Sequence, residues 1–332
     1  MTGSHPTVHT IPAAVIFGEV DEERGAPKPD PILVADSVTR RFGGLTAVDV
    51  DHLEVQRGAI TALIGPNGAG KTTFFNLITG FDKADTGTWA FDGLRLDGLQ
   101  AHKIARIGMV RTFQLTKALS RLRVIDNMML GATGQVGESF FRSLVQPLWR
   151  DQEAANTERA DELLERFNLA QMRDEYAGEL SGGQRKLLEM ARALMSGPRL
   201  LMLDEPMAGV NPALAQTIIG HVQSLRDDGL TVVFVEHDMD VVREISDWVV
   251  VMAEGAVIAE GRHATIVTDQ RVIDAYLGAH HTTPLDRAEQ ERQLAEAEAA
   301  VRAEAEAEAA TAAGEPDRGD GARAGAEEDA AT

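Results

Sequence analysis

Eight consecutive residues, Gly65-Pro66-Asn67-Gly68-Ala69-Gly70-Lys71-Thr72, fit the pattern G-x-x-x-x-G-K-[ST]. About one random chain of this length in a hundred would match it, given ordinary residue usage. The surroundings give the match its weight: the apolar run Ala59–Ile64 reads as a buried strand, and Lys71–Thr79 as the helix after it. Glycines let such a loop fold so tightly that successive backbone N–H groups point inward as an anion nest. The helix start adds its positive dipole end to the same spot. Lys71 supplies a point charge for the β- and γ-phosphates of a nucleoside triphosphate, and Thr72 a hydroxyl ligand for Mg²⁺.

Two further segments carry chemistry. Leu200-Leu201-Met202-Leu203-Asp204-Glu205-Pro206 is an apolar strand ending on two carboxylates. Successive strand side chains point to opposite sides, so Asp204 and Glu205 can hold different roles. Beside a phosphate loop, Asp204 suits the Mg²⁺ shell and Glu205 the general base that activates water. On its own, an apolar run before Asp-Glu is equally the solvated end of an ordinary strand. Leu180-Ser181-Gly182-Gly183-Gln184 then leads into Arg185–Met195, where Leu187, Ala191 and Leu194 recur at helical spacing. Ser181 is in cap position, which makes this helix start a second anion site, or simply a capped helix.

The rest of the chain bounds what these segments can belong to. At 332 residues it can bury a sizeable core, and 44% hydrophobic content is ordinary for a globular protein. Zero cysteines exclude disulfides and thiolate metal sites. A net charge of −20 argues against nucleic-acid binding, which needs clustered Lys and Arg. No apolar stretch reaches the roughly 18 residues of a membrane span, and no signal-peptide pattern opens the sequence. A soluble, intracellular chain is expected, with membrane association only through partners. Charge is uneven: residues 285–332 hold 14 Asp or Glu against 5 Arg. This Ala/Glu-rich tail has too little apolar surface to join a core. Residues 1–30, closing on Pro27-Lys28-Pro29-Asp30, read as a flexible arm. The expected folded body is 31–283, and 284–332 an acidic extension.

In combination, these motifs resemble the ATP-binding-cassette ATPases. Their signature sequence is matched by Leu180–Gln184, and the order is theirs: phosphate loop, lone Gln114, signature, Asp204-Glu205, then His237. The resemblance covers about 31–283. It implies an α/β P-loop fold with a RecA-like core, an antiparallel β-subdomain and a helical subdomain at about 115–179. It also implies ATP and Mg²⁺ as ligands. ATP would be held by Gly65, Pro66, Asn67, Gly68, Ala69, Gly70, Lys71, Thr72 and Thr73, with Phe42 stacked on adenine. Core packing is the competing reading for Phe42. Gln114 would approach Mg²⁺ and the attacking water, sharing the metal with Thr72 and Asp204, and His237 would hydrogen-bond the γ-phosphate. Glu205, His237 and Gln114 are thus the expected catalytic set. Cassette ATPases pair head to tail, so Ser181, Gly182, Gly183 and Gln184 would face the nucleotide of a second, identical or related, subunit.

One position departs from the commonest pattern. Many cassettes place Leu-Asp-Pro after the glutamate, where Met207–Pro212 has Asn211 at the Asp position. Arg40–Val48, Arg111-Thr112-Phe113-Gln114, Val124–Ala132 and Val235–Met239 resemble the ATP-binding subunits of branched-chain amino-acid importers. That branch implies a peripheral protein on the cytoplasmic face of the membrane. Its helical subdomain would dock on a permease, and an extracytoplasmic solute-binding protein would act indirectly. The alternatives are another transporter's ATPase, such as a urea or amide importer or an exporter, or a soluble cassette protein without a transport role. The chain shows one phosphate loop and no heptad-rich insertion, features that soluble cassettes usually duplicate or carry.

Overall fold

A computed structural model of the chain describes residues 17–18, 20–112, 120–132 and 147–279. Among the described residues, ten strands form two sheets. The first is antiparallel, in the order β2-β1-β4-β5, from β1 (Pro31–Phe42), β2 (Leu45–Gln56), β4 (Thr86–Phe91) and β5 (Leu94–Arg95). The second runs β10-β9-β3-β8-β7-β6. Its members are β3 (Ile60–Ile64), β6 (Met109–Arg111), β7 (Leu200–Asp204), β8 (Thr231–Val235), β9 (Trp248–Ala253) and β10 (Ala256–Gly261). Strand β3 lies at its centre, parallel to β8 and β9, while β10 turns back antiparallel.

The central strands β3 and β8 are buried along their whole length and mostly apolar because both faces of the sheet are covered. Side-chain alternation divides them between two cores. Ile60, Ala62, Ile64, Leu201, Leu203, Val232 and Phe234 enter one core. It is completed by α3 (Val124–Met129), α4 (Pro147–Arg166), α5 (Gly182–Leu194), α6 (Pro212–Asp227) and α7 (Met239–Ile245). Leu63, Leu200, Met202, Val233 and Val235 enter the other. That core is shared with α1 (Lys71–Ile78), α2 (Ala101–Arg106) and the first sheet. The short α8 (His263–Ile266) and α9 (Gln270–Ala279) close the described body. None of the described helices is long and apolar enough to cross a membrane. Of the region expected to be a helical lobe, residues 120–132 and 147–179 are described. They contribute α3, α4 and a 3₁₀ turn at Ala170–Met172.

The arm expected to be flexible up to residue 30 is instead packed over its described part. Lys28 Nζ donates to Glu260 Oε2 at 2.9 Å, and the two side chains are 0% and 2% exposed. Ala26 N donates to Glu260 Oε1 at 3.0 Å, and Trp248 Nε1 to Oε2 at 2.9 Å. Phe17 stacks on Trp248 with centroids 4.8 Å apart, and Glu22 pairs with Arg262. A buried charge survives only when paired and hydrogen-bonded, and Glu260 meets both conditions. Residues 284–332 lie outside the described residues, as do 280–283 at the expected end of the body.

Candidate nucleotide-binding and catalytic site

The loop Gly65–Gly70 joins fully buried β3 to α1, the context expected from the sequence. Two of its glycines have no substitute. Gly65 has φ +148°, and a Cβ there would lie 2.0 Å from the Met252 carbonyl oxygen. Gly70 has φ +95° and would meet the Ala47 carbonyl at 2.2 Å. The loop is therefore pressed between β9 and β2, and its outer residues Asn67 and Gly68 remain exposed. Helix α1 starts at Lys71 with no side chain capping it, so its first-turn N–H groups are available to an anion.

Lys71 folds back over the loop, donating from Nζ to Gly65 O at 2.8 Å and Pro66 O at 3.0 Å. Burial pushes its pKa below the ordinary lysine value, and the nearby Glu205 and Asp204 carboxylates oppose that shift. The lysine and the two carboxylates therefore share one electrostatic neighbourhood. Asp204 ends β7, and its Oδ2 accepts from Arg111 Nη2 at 2.6 Å. Glu205 follows with left-handed backbone, φ +46°, where a non-glycine residue is strained. A cleft lined by Thr112, Lys186, Glu189, Leu203, Asp204 and Glu205 opens beside the two carboxylates.

The Ser181 segment is a capping box. Gln184 N donates to Ser181 Oγ at 3.3 Å, and Ser181 N donates to Gln184 Oε1 at 2.9 Å. The cap takes the Gln184 N–H and leaves those of Gly182 and Gly183 at the helix start. Gly182 faces open space, whereas a Cβ on Gly183 would strike Leu214 Cδ2 at 1.9 Å. One glycine thus keeps the surface open, and the other lets α5 approach α6. Asn211 caps α6, accepting from Leu214 N at 2.9 Å. Asn and Asp cap equally well, so the departure at this position preserves the helix start.

Phe42 ends β1 with 47% of its surface exposed, and the Arg40 guanidinium lies 4.7 Å from its ring centroid. It is no core residue. His237 follows β8 with its side chain 66% exposed. Gln114 lies outside the described residues. Among the described residues, no cluster of three or more His, Cys, Asp or Glu could hold a metal ion. The candidate donors, Thr72 hydroxyl and Asp204 carboxylate, are hard oxygens of the kind Mg²⁺ prefers. Asp204 Oδ2 is already engaged by Arg111, so a metal ion there would share the carboxylate with that guanidinium.

Sequence reasoning passed over three polar residues at this site. Arg111 joins Asp204 to Asn76 of α1, donating from Nη1 to Asn76 Oδ1 at 2.6 Å. Lys186 of α5 and Glu236 after β8 both bind the turn that follows Glu205. Burial lowers the pKa of Lys186 and raises that of Glu236. Arg111 sits three residues before Gln114, a spacing that could have drawn attention to it. Lys186 and Glu236 engage backbone groups, which leave no trace in the sequence.

Comparison with known proteins places this geometry in context. Residues 48–208 match a family described as ABC transporter, and residues 256–282 match the branched-chain amino acid ATP-binding cassette transporter family. A probable branched-chain amino acid transport ATP-binding protein of Archaeoglobus fulgidus is 41% identical over 248 residues, spanning 75% of this chain and 96% of that one. The crystal structure of a nucleotide-free ATP-binding cassette from an ABC transporter superposes with a TM-score of 0.66. It is 38% identical and covers 74% of this chain and 98% of its own. The dimeric, post-hydrolysis structure of an ATP-binding cassette bound to ADP and Pi superposes at 0.56, with 25% identity over 70% of this chain and 98% of its own.

Proposed function

The chain belongs to the ATP-binding-cassette ATPases of ABC transporters, and on that premise we propose that it energises import of branched-chain or related amino acids through a membrane permease. The observation that carries the cargo class is the match of residues 256–282 to the branched-chain family. The catalytic body itself has no reason to touch the cargo. The protein would act from the cytoplasmic face, docked on the permease through the helical lobe that includes α3 and α4. It would be paired head to tail with a second cassette, and an extracytoplasmic solute-binding protein would deliver the cargo.

The residues divide the work as follows. On ATP binding, Lys71 exchanges the Gly65 and Pro66 carbonyls for β- and γ-phosphate oxygens, while the loop and α1 N–H groups cradle the same phosphates. Phe42 offers its exposed ring to adenine. Thr72, Asp204 and Gln114 would hold the Mg²⁺ that accompanies ATP, which neutralises charge on the β- and γ-phosphates. Glu205 takes a proton from the water whose oxygen attacks the γ-phosphorus as the bond to ADP breaks. Exposed His237 donates a hydrogen bond to the γ-phosphate. The Ser181–Gln184 helix start of the second subunit covers the nucleotide from the other side, which accounts for two anion-binding helix starts in one chain.

Uptake of radiolabelled leucine, isoleucine and valine by cells lacking this protein provides the test. Return of the native chain should restore uptake and Glu205→Gln should not. Uptake that is unaffected by the deletion rejects the cargo assignment.

A further inference from the structure

The four-residue turn Glu205–Ala208 is gripped from two sides by opposite charges. From α5, Lys186 Nζ donates to Glu205 O at 3.3 Å, Pro206 O at 3.1 Å and Ala208 O at 2.6 Å. An ammonium has three donors, and all three are spent on this one turn. From the end of β8, Glu236 accepts Met207 N on Oε1 at 2.9 Å and His237 N on Oε2 at 3.3 Å. Glu236 is 1% exposed.

The convergence of three carbonyls on one ammonium needs an unusual backbone. It is provided by the left-handed conformation of Glu205, φ +46°, a strain of the kind that persists only where surroundings over-determine it. Lys186 and Glu236 are the surroundings that do so. They also link the helix that begins at Ser181 to the turn carrying Glu205 and to the segment carrying His237, adding to the Glu205 N–H bond to Val235 O at 3.1 Å that already joins the last two.

We infer that Lys186 and Glu236 are paired positioning residues for hydrolysis, setting the Glu205–Ala208 backbone and coupling it to the Ser181 helix and to His237. Neither residue touches the reacting atoms. A small displacement of Glu205 relative to the attacking water is expensive, so loosening either grip slows the chemical step and leaves ATP binding in place. This inference rests on Glu205 as general base.

Steady-state ATPase kinetics and fluorescent-ATP binding on the purified full chain test it, with thermal melting to confirm folding. Lys186→Met should lower kcat about 10- to 100-fold with KM for ATP and nucleotide affinity within about 2-fold. Lys186→Arg, which keeps a multi-donor cation, should recover most of that loss. Glu236→Gln keeps the shape but only one acceptor oxygen, and it provides a second probe if Lys186→Met does not fold. Because both residues act on one turn, the double variant should be no more than about 2-fold slower than the worse single variant. A Lys186→Met or Glu236→Gln enzyme with near-native kcat, or losses that multiply in the double variant, overturns the inference. Glu205→Gln serves as the reference. If it stays active, the general-base reading falls and takes the inference with it; if it is inactive while both other variants work normally, only the inference falls.

Discussion

Arg111 and Asp204 form an ion pair, Nη2 to Oδ2 at 2.6 Å, with side chains only 6% and 9% exposed. The same guanidinium reaches Asn76 and lies 5.6 Å from the Phe75 ring centroid. One cation therefore serves the strand leading to Gln114, the helix after the phosphate loop and the carboxylate closing β7.

Removing that cation takes from the Asp204 carboxylate its hydrogen-bonded partner and leaves only the Lys71 charge in its neighbourhood. Arg111→Met should cost about 3 kcal/mol, as for breaking a buried pair from one side. Adding Asp204→Asn should return part of the loss, because the stranded charge goes too. Chemical denaturation of the two single variants and the double provides the cycle. Strictly additive losses contradict the coupling.

Two glycines of the phosphate loop should respond very differently to alanine. At Gly68, φ +80° with open space around it, the cost is backbone strain alone, about 1 kcal/mol. At Gly65 a Cβ meets the Met252 carbonyl at 2.0 Å, so the loop must leave β9. Gly65→Ala should lose more than about 2 kcal/mol of stability and detectable ATP binding together. Urea titration and nucleotide-binding calorimetry separate the two outcomes.

Phe42 is exposed enough that truncation should hardly affect folding. Phe42→Ala is expected to change stability by less than about 0.5 kcal/mol. It should weaken ATP binding by about 1–2 kcal/mol if the ring stacks on adenine. Binding isotherms for ATP and for triphosphate without a base discriminate: only the former should weaken.

Asp247 gives stability a pH dependence. It accepts from Ile60 N at 2.8 Å and Arg226 Nη1 at 2.9 Å, yet burial outweighs both and lifts its pKa above the ordinary 3.8. The folded state then keeps this proton to higher pH than the unfolded chain. The stabilisation is full below 3.8 and is lost as pH rises through the folded value. Native protein should accordingly lose ground to Asp247→Asn as pH is raised above 3.8. Urea midpoints of the two proteins across that window check the sign, and a widening native advantage contradicts it.

What could be read from the sequence was local. The phosphate loop, the Asp204-Glu205 strand end and the Ser181 cap are short patterns whose partners lie within a few residues. The buried strand before the phosphate loop was legible too, from the apolar run Ala59–Ile64. Long-range polar pairs were not legible. Lys28 sits among prolines and has the composition of a linker, and nothing near it points to Glu260. Lys186 binds carbonyls that every residue possesses, and only the fold says which ones. Exposure of Phe42 was likewise decided by strand register rather than by residue type, and Gln114 falls outside the described residues.

The strap around Lys28 imposes an order on biosynthesis. Its partner Glu260 lies 232 residues further along the chain. At ordinary elongation rates, the first of these residues leaves the ribosome roughly 10 to 50 s before the second exists. During that interval Phe17 and Lys28 have no Trp248 to cover. The described segment around Phe17 and Lys28 is thus secured only after most of the body it packs against has been made.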